Sequence, residues 1–96
     1  MAAYLLVDTL LENPALYEEY KLKAKPIIEK HGGEYLARGG NMNIREDDLW
    51  KPHRLVLIRF QDAQSANRCM DSEEYRQILP ISKQSAKRTM IVLEGL

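Results

Sequence analysis

The sequence predicts an α+β protein: a βαββαβ chain whose four strands form one antiparallel sheet, with two helices on a single face. Three observations carry that expectation. Apolar segments of strand length and segments of helical periodicity follow one another in that order along 96 residues, a length that suits one domain, 1–96. Two helices cover only one face of a four-stranded sheet. The strands are nevertheless apolar on both faces, which a sheet with one wet face does not require.

The segment from Tyr4 to Leu10 is short and aliphatic and reads as the first strand. Asn13-Pro14 then gives a cap residue followed by proline at the first helical position. Leu16, Tyr20, Ala24 and Ile27 recur at helical spacing, and Glu19 and Lys23 pair on the wet side. Lys30, His31 and Gly32 suit a helix C-terminus. The spacing predicts a helix over about 14–31, bent near Lys25, because Pro26 lacks the N–H that would bond to Leu22.

Residues 33–38 read as a second strand, stopped by Gly39-Gly40. The stretch from Asn41 to Pro52 is a polar hairpin connection in which Trp50 stands out as a large apolar side chain. Leu55 to Phe60 is the clearest strand. Asp62 caps a second helix with Ala63, Ala66 and Met70 on one face. Asp71-Ser72-Glu73-Glu74 restarts a helical turn through Tyr75, Ile78 and Leu79, which Pro80 is expected to end. A last strand runs from about Thr89 to Glu94.

This order is the ferredoxin-like split βαβ arrangement. Leu5 and Val7 face opposite to Leu6, Leu55 and Leu57 opposite to Val56 and Ile58, and Ile91 and Leu93 opposite to Met90 and Val92. Burying a large aliphatic side chain is worth roughly 1.5–3 kcal/mol, so a second apolar face left in water would consume a typical domain's net stability. The simplest cover is a second copy of the same sheet about a two-fold axis. A homodimer is expected.

Composition excludes more than it assigns. Fourteen Lys plus Arg balance fourteen Asp plus Glu, which argues against a nucleic-acid partner. No apolar run reaches the ~20 residues of a membrane span, and the first eleven residues lack the positive start of a secretory signal. A cytoplasmic protein without membrane contact is expected. Cys69 is the only cysteine, and the two histidines lie 22 positions apart, so neither a disulfide framework nor a metal motif is legible. The glycine pairs form no nucleotide-cradling pattern. No cofactor is implied.

Three strings then become informative: the run from His31 through Gly32-Gly33-Glu34-Tyr35-Leu36-Ala37-Arg38 to Gly39-Gly40, the later Trp50-x-Pro52-x-Arg54, and Asp71-Ser72-x-x-Tyr75. Together they resemble the domain-of-unknown-function family numbered 1330, within the dimeric α+β barrel superfamily. The resemblance spans essentially the whole chain and implies a ferredoxin-like protomer whose sheets pair into a barrel. It implies little about chemistry, since the family has no assigned activity. The wider superfamily includes haem-degrading and quinone-forming monooxygenases, muconolactone isomerase-like enzymes and stress-induced barrel proteins. The chain departs from the family pattern at Cys69-Met70, where an aromatic pair is usual, and near Ser82, where Lys83 stands in for a usual Arg.

The candidate ligand-binding residues are Asp8, Tyr17, His31, Arg38, Trp50 and Arg54. Arg38, at a strand end beside two glycines, can clamp a carboxylate or pair with Asp8. Asp8 shares a strand face with Tyr4 and Leu6, where a carboxylate needs a partner. His31 serves as acid or base, or caps a helix. Tyr17, Tyr20 and Tyr35 line a pocket or belong to the core. Trp50 is a lid over a pocket or a plug against the partner chain, and Arg54, with His53, is a rim residue. Cys69 reads as a small buried hydrophobe. Two functions follow: a small, acidic or aromatic molecule bound, with or without reaction, between sheet and helices, or a non-catalytic homodimeric module.

Overall fold

The structure, a computed structural model, describes residues 1–96. Its elements are β1 (Ala3–Leu11), α1 (Pro14–Lys30), β2 (Glu34–Arg38), β3 (Leu55–Phe60), α2 (Ala63–Asp71), α3 (Glu73–Ser85) and β4 (Ala86–Glu94). The four strands form one sheet in the order β2-β3-β1-β4, and every neighbouring pair is antiparallel. The α+β class and the βαββαβ order are as expected from the sequence, with the second helical segment divided in two. No helix is long and apolar enough to cross a membrane.

Alternation along the strands defines the two sheet faces. Ala3, Leu5, Val7 and Thr9 of β1 are buried beneath the helices, together with Val56, Ile58 and Phe60 of β3. Of these, Leu5, Val7, Val56, Ile58 and Phe60 form one core with Tyr17, Tyr20, Ala24 and Ile28 of α1, Ala66 and Cys69 of α2, and Tyr75 and Ile78 of α3. Tyr4, Leu6, Leu57, Ile91 and Leu93 lie on the opposite face, which no element of the chain covers.

Each helix starts on a side-chain cap. Asn13 Oδ1 accepts from the Leu16 amide at 3.2 Å, Asp62 Oδ1 from Ser65 at 2.7 Å, and Ser72 Oγ from Tyr75 at 3.2 Å. The Ser72 cap is what separates α2 from α3. At the far end of α1, Gly32 takes φ +86°. Its amide reaches Glu29 O and that of Gly33 reaches Ile28 O, the paired bonds of a left-handed C-terminal cap.

Two expectations about helix and strand ends are corrected. Pro80 does not end α3, which continues to Ser85. Pro80 and Arg76, whose carbonyl loses its helical partner, both lie on the exposed side, while Ser82 and Ser85 farther along are buried. Burial of the inner side therefore outweighs one hydrated carbonyl. Pro26 is likewise exposed and internal to α1, and Leu22, whose carbonyl it leaves free, is 74% exposed. The last strand begins at Ala86 rather than Thr89, directly from the end of α3.

Candidate functional site

Between the helix-facing side of the sheet and α1 lies a cavity of about 40 Å³. Leu5 and Val7 of β1 and Val56 and Ile58 of β3 line it from the sheet. Tyr17, Tyr20, Ala24 and Ile28, the inward stripe of α1, line it from the helix. Met70 and Met90 complete the apolar part, and Lys21, Arg38 and Arg88 bring positive charge. The volume is that of a few water molecules. A ring-sized ligand enters only if side chains move, and the two unbranched methionines are the side chains best suited to do so.

An irregularity in β2 sets one wall. The pairing register shifts between Tyr35 and Ala37, so that Tyr35 lies opposite Ile58 and Arg38 opposite Val56. Both partners face the helices. A regular strand would send residues three apart to opposite faces; the bulge brings Tyr35 and Arg38 to the same one. The Arg38 guanidinium carbon lies 5.0 Å from the Tyr35 ring centroid. Burial pushes the Tyr35 hydroxyl up to about 12, and the nearby charge of Arg38 offsets only part of that.

The most organised polar group at the cavity was not legible as a site in the sequence. Arg88 of β4 donates from Nη1 to Tyr20 Oη at 2.9 Å, and from Nη2 to Tyr75 Oη at 3.1 Å and Ser82 Oγ at 2.8 Å. Its guanidinium carbon is 4.9 Å from the Tyr20 ring centroid. The hydroxyls of Tyr20 and Tyr75 are 2.7 Å apart. Burial pushes the Tyr20 phenol far up. Burial opposes the charge of Arg88, but the surrounding phenol oxygens outweigh it and raise its pKa. None of the chain's ion pairs includes Arg88 or Arg38. The signal was strand parity: once β4 starts at Ala86, Arg88 falls in line with Met90 and Val92 on the helix-facing side. The Arg88 guanidinium also occupies the neighbourhood of Ser82, whereas Lys83 is exposed.

The six residues singled out in the sequence fall in three places. Tyr17 and Arg38 line the cavity. His31 sits at the end of α1, its Nε2 3.3 Å from Glu74 Oε1, where Lys30 Nζ also reaches both carboxylate oxygens at 3.2 Å. The hydrogen bond from Lys30, with that of His31, holds the Glu74 carboxyl below its usual range. Asp8, Trp50 and Arg54 meet at the base of the loop joining β2 to β3. Asp8 Oδ2 accepts from Trp50 Nε1 at 2.9 Å, and Oδ1 accepts from the amides of His53 at 2.9 Å and Arg54 at 3.1 Å. Desolvation raises the Asp8 pKa, but these three donors outweigh it and the net shift is downward. The Arg54 side chain packs on Gly39, where an added Cβ would lie 2.6 Å from Nε.

An Asp8–Arg38 pair does not form, because Asp8 points to the uncovered face of the sheet and Arg38 to the helices. The loop also shapes two open clefts on that uncovered side. One, of about 240 Å³, touches Asp8, Trp50, His53, Lys87 and Thr89. The other, of about 290 Å³, touches Glu46 to Trp50, Pro52 and Leu55. Cys69 is fully buried, and burial pushes its thiol up to about 11. No three His, Cys, Asp or Glu side chains converge.

No curated protein matches the chain in sequence. Among solved structures, it is similar to a protein of unknown function from Rhodopseudomonas palustris, with a TM-score of 0.79 at 13% identity over 99% of this chain and 82% of that one. It is also similar to SnoaB, a cofactor-independent oxygenase from Streptomyces nogalater (TM-score 0.69, 12% identity, 99% and 93% of the chains). A third likeness is to a dimeric protein of unknown function and ferredoxin-like fold from Bacteroides fragilis (TM-score 0.64, 14% identity, 98% and 96%). At these identities the likeness establishes the ferredoxin-like fold. The family model described as a domain of unknown function (DUF1330) matches residues 2–96, and the chain belongs to that family.

Proposed function

We propose that this chain is a homodimeric α+β barrel protein that binds, in each protomer, a small acidic or aromatic molecule in the cavity between sheet and helices. The observation that carries the ligand is Arg88: a half-buried guanidinium beside an apolar cavity, hydrogen-bonded only to neutral hydroxyls. A buried charge without a counter-ion is costly, and an anionic ligand supplies the missing partner. Arg38 adds a second cation at the opposite edge of the sheet, and Tyr17 and Tyr35 add phenols. That SnoaB is named an oxygenase supports a small-molecule role for this fold. Asp8, Trp50, Arg54 and His31 serve the scaffold in this reading.

The uncovered sheet face supports the dimer. Leu36 is 47% exposed, Ile91 44% and Leu93 58%. Trp50, half-exposed on an arm above the same face, is the plug that enters the partner. The dimeric state named for the Bacteroides fragilis protein supports the same assembly.

Benzoate titrated into the protein, followed by backbone amide NMR, tests the ligand site. Shifts should concentrate on α1, β2 and β4 around the cavity, and Arg38→Ala should weaken binding severalfold. The second reading, a non-catalytic dimeric module, is favoured by the small volume of the cavity. It predicts no shifts with benzoate and an Arg88 that matters to stability alone.

A further inference from the structure

Counting protons in the Arg88 cluster gives Tyr20 a direction. A guanidinium only donates, so both phenol oxygens accept from Arg88 and neither can pass its own proton back. The 2.7 Å contact between the two hydroxyls holds one proton. Two phenols carry two. The second needs another acceptor, and Ser82 is not one: its hydroxyl accepts from Arg88 and donates to Leu79 O at 2.7 Å, and it forms no hydrogen bond with either phenol.

Position decides which phenol keeps the spare proton. Tyr75 is 2% exposed and is not part of the cavity wall, so a proton left on its outer side would have no acceptor. Buried donors without acceptors are strongly disfavoured. Tyr20 is equally well buried but lines the cavity. The favoured arrangement therefore has Tyr75 donating to Tyr20, and Tyr20 turning its own O–H into the cavity. Inside, the side chains are apolar or cationic apart from the phenols of Tyr17 and Tyr35, and neither bonds to Tyr20.

We infer that Tyr20 is a ligand-binding residue that donates its phenolic proton to an oxygen of the bound molecule, with Arg88 behind it favouring an oxygen that bears negative charge. The inference rests on the cavity being the ligand site and narrows the ligand to an apolar body carrying a carboxylate, phenolate or enolate oxygen. The arrangement is an oxyanion anchor. One donor comes from the ring hydroxyl, and the fixed charge sits one hydrogen bond away. Tyr75 is a positioning residue, since it acts only by supplying the proton that frees the one on Tyr20.

The test uses 4-nitrophenol, whose anion is yellow, and nitrobenzene as its uncharged counterpart. In the unaltered protein the bound phenol should ionise at lower pH than the free one, because the site prefers the anion. Tyr20→Phe should lose about tenfold in affinity for 4-nitrophenolate, the scale of one charge-assisted hydrogen bond, and keep its affinity for nitrobenzene. Tyr75→Phe should lose much less. Thermal unfolding of both variants reports that they fold. The inference is overturned if the bound phenol ionises no more readily than the free one, an arm that needs no variant. It is also overturned if folded Tyr20→Phe binds 4-nitrophenolate as the parent does, or if the two variants lose equally. Should neither probe bind the unaltered protein, the cavity reading fails together with the inference.

Discussion

At the scale of single residues, Asp8, a candidate binding carboxylate, accepts its hydrogen bonds from the chain's own loop. All three of its hydrogen bonds go to the loop that leaves β2, and one of them holds Trp50, the only tryptophan. Asp8→Ala should lower stability by about 2 kcal/mol, the scale of losing hydrogen bonds to a charged acceptor. It should also release Trp50, read as a red shift of its emission in a native solution. The pH dependence has a definite sign. The folded carboxyl ionises below its ordinary value of 3.8, so its contribution is complete above that value and disappears as pH falls through the folded one. An acid titration followed by Trp50 emission should show this step, and Asp8→Asn should abolish it. The sequence placed Asp8 on the right face through parity with Tyr4 and Leu6. It could not supply Trp50 as the partner, because that residue lies 42 positions along the chain, beyond a loop with no periodicity to count by.

At the scale of elements, the departures from expectation lie where backbone geometry breaks a repeat. The bulge in β2 brings Tyr35 and Arg38 to one face, and a bulge leaves no mark in an alternation only five residues long. Gly39 then turns the chain out of the strand at φ +68°. Gly39→Ala should cost about 1–2 kcal/mol by chemical denaturation, since a Cβ disfavours that backbone region and would also displace Arg54. Pro80 offers the opposite case. Because it lies on the solvent side of a continuing helix, Pro80→Ala restores a hydrogen bond at no packing cost and should stabilise the fold by about 1 kcal/mol, seen as a rise of several degrees in Tm. A strand expected only from Thr89 leaves Arg88 outside the alternation, whereas β4 from Ala86 turns it toward the cavity. The Asn13 and Asp62 caps, the strands β1 and β3, and Tyr20 and Ala24 of the inward stripe of α1 were legible because each follows an uninterrupted rule of spacing or of first-residue chemistry; Tyr17 and Ile28 complete that stripe in place of Leu16 and Ile27.

At the scale of the whole molecule, one sheet has two different duties. Its helix-facing side, with Leu5, Val7, Val56 and Ile58, floors the cavity; its other side presents Leu6, Leu57, Ile91 and Leu93 to whatever covers it. A charge placed on the second side should not disturb the first. Leu93→Asp should shift the sedimentation of the dimer toward monomer and lower Tm by several degrees, since separation leaves the remaining apolar side chains of that face in water. The two-faced apolar pattern is readable from the sequence; the Arg88 cluster is not, because its charge lies on a strand and its phenols on two helices. Native mass spectrometry of the purified protein, with and without 4-nitrophenol, addresses both sides together. A homodimer with one cavity per protomer should appear as a species of twice 11.1 kDa at micromolar concentration that takes up to one probe per chain. A bare monomer that takes up no probe would contradict both expectations.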